Sequence, residues 1–141
     1  MNLKSEKGMD TRTRVVRSKT GGVLMLAKQF RRARELELRL AGYFHKVCRV
    51  SDSAAPGSLP PADDVSVIVV TDSFGLKGNK AFIFMLRKKY PLARMVYLAD
   101  RISKGEEAVI RGVGVVFLGS YERFFNTLTD ILQSALEQVE A

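Results

Sequence analysis

The chain has 141 residues, 46% hydrophobic and 27% charged, enough apolar side chains for one packed domain and too many for a disordered one. Its 23 Lys and Arg against 15 Asp and Glu give a formal charge of +8, which attracts nucleic acid, anionic lipid or an acidic partner. The single cysteine, Cys48, excludes an intrachain disulfide and fits a reducing cytoplasm, and no apolar run reaches the roughly 18–20 residues that span a bilayer.

Residues 1–20 are polar and basic. Lys4, Lys7, Arg12, Arg14, Arg17 and Lys19 face Glu6 and Asp10, leaving +4 on the segment. A flexible basic arm is expected here, ahead of a folded domain over residues 21–141. The arm has no continuous apolar stretch, so a secretory signal is not expected. It also carries no aromatic residue to stack on bases, which weakens a nucleic-acid role.

The run Gly22 to Ala27 is expected to be the first strand. From Gln29 to Gly42 the period changes. Phe30, Ala33, Leu36, Leu40 and Tyr43 recur every three or four residues, which predicts an amphipathic helix with Arg31, Arg32, Arg34, Glu35 and Arg39 on its wet side. Lys46 to Val50 alternates like an edge strand, where Cys48 is expected as an inert thiol. Ser51 to Asp64 holds Pro56, Gly57, Pro60 and Pro61, so a second helix is short or missing.

The central feature is Val65 to Asp72, β-branched and apolar without alternation, as in a strand buried on both faces. Asn79 to Tyr90 is expected to be a helix with Arg87, Lys88 and Lys89 complementing its negative end. Arg94 to Ala99 is expected as a strand and Lys104 to Arg111 as a helix capped by Ser103. Val113 to Leu118 is expected as the last strand, followed by a long helix from Tyr121 to Val139. The alternation predicts an α/β fold: a doubly wound, five-stranded parallel sheet of order 2-1-3-4-5 in a three-layer α/β/α sandwich. In such sheets ligands bind at the carboxyl ends of central strands, which directs attention to Asp72.

Three stretches in their order resemble the receiver domain of two-component response regulators. These are Leu40-Ala41-Gly42-Tyr43, then Leu86-Arg87-Lys88-Lys89-Tyr90-Pro91 with Met95-Val96-Tyr97-Leu98-Ala99, and then Glu106 through Tyr121. The resemblance covers residues 22–139 and implies a CheY-like fold. In that family an aspartate ending the third strand accepts a phosphoryl group. An acidic pair after the first strand holds Mg²⁺ with it, because Mg²⁺ wants hard carboxylate oxygens. A Thr or Ser ending the fourth strand and a Lys-Pro ending the fifth then contact the phosphate.

The match to that pattern fails at most of these positions. The acidic pair falls on Ala27 and Lys28, or Leu26 and Ala27, and no carboxylate lies between Gly21 and Arg34. The hydroxyl falls on Ala99 or Leu98, the lysine on Gly119 and its proline on Ser120. The switch aromatic falls near Val115 or Val116. Asp72 stands at the acceptor position, although counting from Pro91 or Gly78 moves that position to Thr71 or Val70. An ion pair from Lys28 to Asp72 would mimic the metal's charge.

The resemblance therefore implies a pseudo-receiver: not an enzyme, with no Mg²⁺ expected, acting through protein contacts in the cytoplasm. The family's usual contact face would present Arg101, Lys104, Arg111, Tyr121 and Arg123 to an acidic protein partner or to a second copy. A basic nucleic-acid-associated protein using Arg31, Arg32, Arg34 and Arg39 is the alternative, and a receiver phosphorylated on Asp72 is the third reading. Gly75 to Lys80 before a helix is a further place for an anion, without the phosphate-loop pattern. The single histidine, His45, provides no metal cluster or catalytic triad.

Overall fold

A computed structural model describes residues 21–28, 31–54 and 57–127. The strands are β1 (Gly22–Leu26), β2 (Lys46–Val50), β3 (Val65–Thr71), β4 (Arg94–Leu98) and β5 (Val115–Gly119). The helices are α1 (Arg31–Leu40), α2 (Lys80–Lys89), α3 (Lys104–Gly112) and α4, helical over residues 121–127. Every strand pair is parallel, and the sheet order is β2-β1-β3-β4-β5. The fold is the expected doubly wound α/β sandwich. In the described part of the link from β2 to β3 the helical element is a single 3-10 turn, Ala62–Asp64, as its prolines dictate. The basic arm and the continuation of the final helix lie outside the described residues.

The continuous apolar runs become intelligible once the alternation of a strand is applied to them. On one face Leu24, Leu26, Ile68, Val70, Met95 and Tyr97 pack with Ile83 and Leu86 of α2 and Ile110 of α3. On the other face Val23, Met25, Val67, Val69, Val96 and Leu98 pack with Ala33, Leu36 and Leu40 of α1 and Phe124 of α4. Each fully buried side chain of this size contributes about 1.5–3 kcal/mol. Cys48 is half-buried and packs against the first of these cores, with no disulfide partner.

α3 begins with a capping box. The Ser103 hydroxyl accepts from the Glu106 amide at 3.1 Å, and the Glu106 carboxylate accepts from the Ser103 amide at 3.1 Å. The β1 entry depends on Gly21, whose φ is +69° and whose position leaves no room for a Cβ, which would sit 2.0 Å from Ser66 Oγ. Among the described residues no helix is long and apolar enough to cross a membrane.

Candidate functional site

The carboxyl ends of β1, β3, β4 and β5 meet around Thr71 and Asp72. Thr71 closes β3 and is fully buried. Its hydroxyl donates to the Leu26 carbonyl at 2.8 Å and lies 2.8 Å from Ser73 Oγ. Ser73 Oγ in turn accepts from the Lys28 amide at 3.1 Å, so the ends of β1 and β3 are tied by hydroxyls. Asp72 is the first residue beyond β3. Its amide donates to the Leu98 carbonyl at 2.9 Å and its side chain is exposed. Of the three positions that counting allows, Val70 and Thr71 are sealed inside the sheet and Asp72 alone reaches solvent.

The Asp72 carboxylate is engaged from an unexpected side. Tyr121, first residue of α4, donates its hydroxyl to Asp72 Oδ1 at 3.0 Å. Burial, and then the Asp72 charge, push the Tyr121 phenol well above its ordinary pKa, so it stays a donor. The Arg32 guanidinium of α1 lies over the Tyr121 ring, 4.8 Å from its centroid, and pairs with Asp100 in the loop after β4. The hydrogen bond to Asp100 holds the Arg32 pKa above its ordinary value. Tyr97 in β4 is pushed up to about 12, chiefly by burial, with Glu106 and Asp72 adding to it.

The expected Lys28–Asp72 ion pair does not form. Asp72 turns to Tyr121, and the Lys28 backbone is held by Ser73 and by Arg49 Nη2, which donates to its carbonyl at 2.9 Å. Ala27, Ala99 and Gly119 stand at the carboxyl ends of β1, β4 and β5. Ala99 donates its amide to the Gly119 carbonyl at 2.9 Å, and its methyl offers the site nothing polar. The groups around Asp72 do not fit Mg²⁺: beside its carboxylate stand the Tyr121 phenol and the Arg32 guanidinium, a cation that already holds Asp100. Among the described residues no group of three or more His, Cys, Asp or Glu side chains lies close enough to hold a metal.

Tyr121, expected on the contact face, is 3% exposed and belongs to the core beside Phe124, because its ring covers the end of the sheet. Arg101, Arg111 and Arg123 are exposed and line a shallow cleft of about 360 Å³ between α3, β5 and α4. Arg111 is paired with Glu107 at 2.8 Å and Arg123 lies over the Phe117 ring at 5.7 Å. Lys104 is exposed and stands outside this cleft. The Gly75–Lys80 loop is tied to itself, since the Asn79 side-chain Nδ2 donates to the carbonyls of Phe74 at 3.0 Å and Gly75 at 3.1 Å. Sequence reasoning missed Arg32 and Asp100 as partners at this site. Their signal, a cation in the first turn of α1 and a carboxylate just past β4, appears only once the topology is known.

No known protein-family profile matches the chain, and no curated protein does. Solved structures do. A protein of Burkholderia pseudomallei K96243 described as pilus assembly-related is 17% identical and matches with a TM-score of 0.66 over 85% of this chain and 92% of that one. A response regulator CheY-like protein of Mesorhizobium loti is 14% identical and matches with a TM-score of 0.56 over 79% of this chain and 98% of that one. The chain therefore has a CheY-like, receiver-type fold.

Proposed function

From this receiver-type fold we propose that the chain is a pseudo-receiver, a signalling module that works without phosphorylation and through contacts with an acidic protein. The observation that carries this reading is the hydrogen bond from Tyr121 to Asp72. The carboxylate at the acceptor position is held by a phenol at 3.0 Å, and among the described residues no group of three or more His, Cys, Asp or Glu side chains gathers to hold a metal. Phosphoryl transfer needs a cation bridging acceptor and phosphate, and these residues do not build its cage. The contact surface in this reading is the α3–β5–α4 face, where Arg101, Lys104 and Arg123 are exposed. That one fold neighbour is described as pilus assembly-related fits the use of this fold as a docking part.

Beryllofluoride with Mg²⁺ tests the reading directly. The expected ¹⁹F spectrum contains no protein-bound signal, and intact mass after acetyl phosphate treatment is unchanged. An adduct that vanishes in Asp72→Asn overturns the proposal in favour of a working phosphoacceptor. Affinity capture of the native protein, repeated with Arg123→Glu, then tests whether the partner uses the α3–β5–α4 face.

A further inference from the structure

A larger cleft, about 620 Å³, opens at the opposite end of the sheet, beneath the amino ends of β3, β4 and β5. It lies roughly 23 Å from Asp72 along β3 at the usual rise per strand residue. Its lip carries Leu92, 88% exposed, and Val116, 48% exposed, among the described residues the two most exposed of the large apolar side chains outside α1. Pro91 extends this apolar lip.

Two guanidiniums line the same cleft, Arg87 and Arg94. Arg87 is anchored by carbonyls: it donates to Ala93 at 2.8 Å and to Val113 at 3.0 Å, fixing the turns that lead into β4 and β5. Burial, and then the like charge of Arg94, lower its pKa, so the two cations sense each other. Among the described residues no carboxylate pairs with either one. Among the described residues Asp63 alone supplies an opposing charge on the cleft wall.

We propose that this cleft is a docking site for an acidic peptide segment of another protein. An apolar side chain of the segment seats on Leu92 and Val116, and a carboxylate answers Arg94 and the outer edge of Arg87. Charge decides among the occupants. The same face of a second copy would set Arg87 and Arg94 against themselves, at like-charge cost. A nucleic acid would find no aromatic ring to stack on and would meet Asp63. A bare anion would leave Leu92 and Val116 uncovered. The cleft shares with the α3–β5–α4 face only Val116 at the amino end of β5, and Leu92 and Arg94 lie outside that face, so this site stands or falls separately from the function proposed above.

The test selects a phage-displayed library of random dodecapeptides against the full-length protein. Recovered peptides are then measured by fluorescence anisotropy against Leu92→Glu, Arg94→Glu and Arg123→Glu. Leu92 is so exposed that its variant keeps the wild-type fold, which circular dichroism and urea unfolding check. The expected peptides pair Asp or Glu with Leu, Ile, Val or Phe. They lose at least tenfold in affinity on Leu92→Glu and on Arg94→Glu, and less than twofold on Arg123→Glu. Recovery of no Leu92-dependent peptide overturns the proposal. So do peptides lost only with Arg123→Glu, or a twelve-nucleotide single strand that outcompetes the peptides and depends on Arg94.

Discussion

The two ends of the sheet each use an arginine from a helix, and they use it differently. At the carboxyl end Arg32 is half-exposed, stacks on Tyr121 and pairs with Asp100, which is also half-exposed. At the amino end Arg87 turns inward and reaches five backbone carbonyls, those of Tyr90, Pro91, Ala93, Val113 and Gly114. Arg32 decorates a surface through charge, which water and salt weaken. Arg87 satisfies carbonyls that would otherwise point into a partly buried turn without donors. The comparison teaches that the amino end is built around its cation, whereas the carboxyl end tolerates one.

This difference is open to measurement, beginning with the largest effect. Arg87→Ala should lower unfolding free energy by about 3 kcal/mol in urea titration, since several carbonyls lose their donors at once. Arg87→Lys should recover little, because an ammonium cannot span the two turns. A loss no larger than that of Arg32→Ala would break the comparison. Alkaline pH should come next. The Tyr97 and Tyr121 phenols are held above their ordinary value of 10.0 in the folded chain. The unfolded chain therefore releases their protons first. Stability is complete below about pH 10 and declines by about 1.4 kcal/mol per pH unit for each phenol as pH rises toward 12. Urea midpoints across that range check this, and Tyr97→Phe should flatten the decline.

Thr71→Val should cost about 1 kcal/mol, because the buried hydroxyl that links Leu26 and Ser73 is lost while shape is kept. Tyr121→Phe should cost about 1 kcal/mol or less, as Asp72 is exposed and water replaces the phenol. Arg32→Ala should fall below about 0.5 kcal/mol and shrink further in salt, as exposed pairs do. A large, salt-insensitive loss there would show that the carboxyl end is as firmly built as the amino end.

Much of this architecture was legible because its causes are local. The apolar run at Val67 to Val70 had to be a strand covered twice, and both cores draw on it. Ser103 and Glu106, three apart, announced the start of α3. The last strand begins two residues later than expected. Gly114 turns with φ of +79°, and the Val113 amide stays with the α3 carbonyls, so Val113 cannot join the ladder. The site was less legible because its contacts are distant in the chain. Tyr121 and Asp72 are 49 residues apart, and Arg32 and Asp100 are 68 apart. Nothing in the composition of either segment records such a meeting. Arg87 was read as a cation suiting the end of its helix, since its reach to the β5 turn is visible only in three dimensions.

The place of β1 in the middle of the sheet has a consequence for biosynthesis. β1 is the first strand to leave the ribosome, but it is fully covered only when β3 arrives, and the Leu26 carbonyl waits for a hydroxyl 45 residues downstream. At typical elongation rates that interval is roughly 2–9 seconds. Through it the apolar segment Gly22–Leu26 lacks its β3 neighbour, and until Lys46–Val50 emerges it lacks both neighbours.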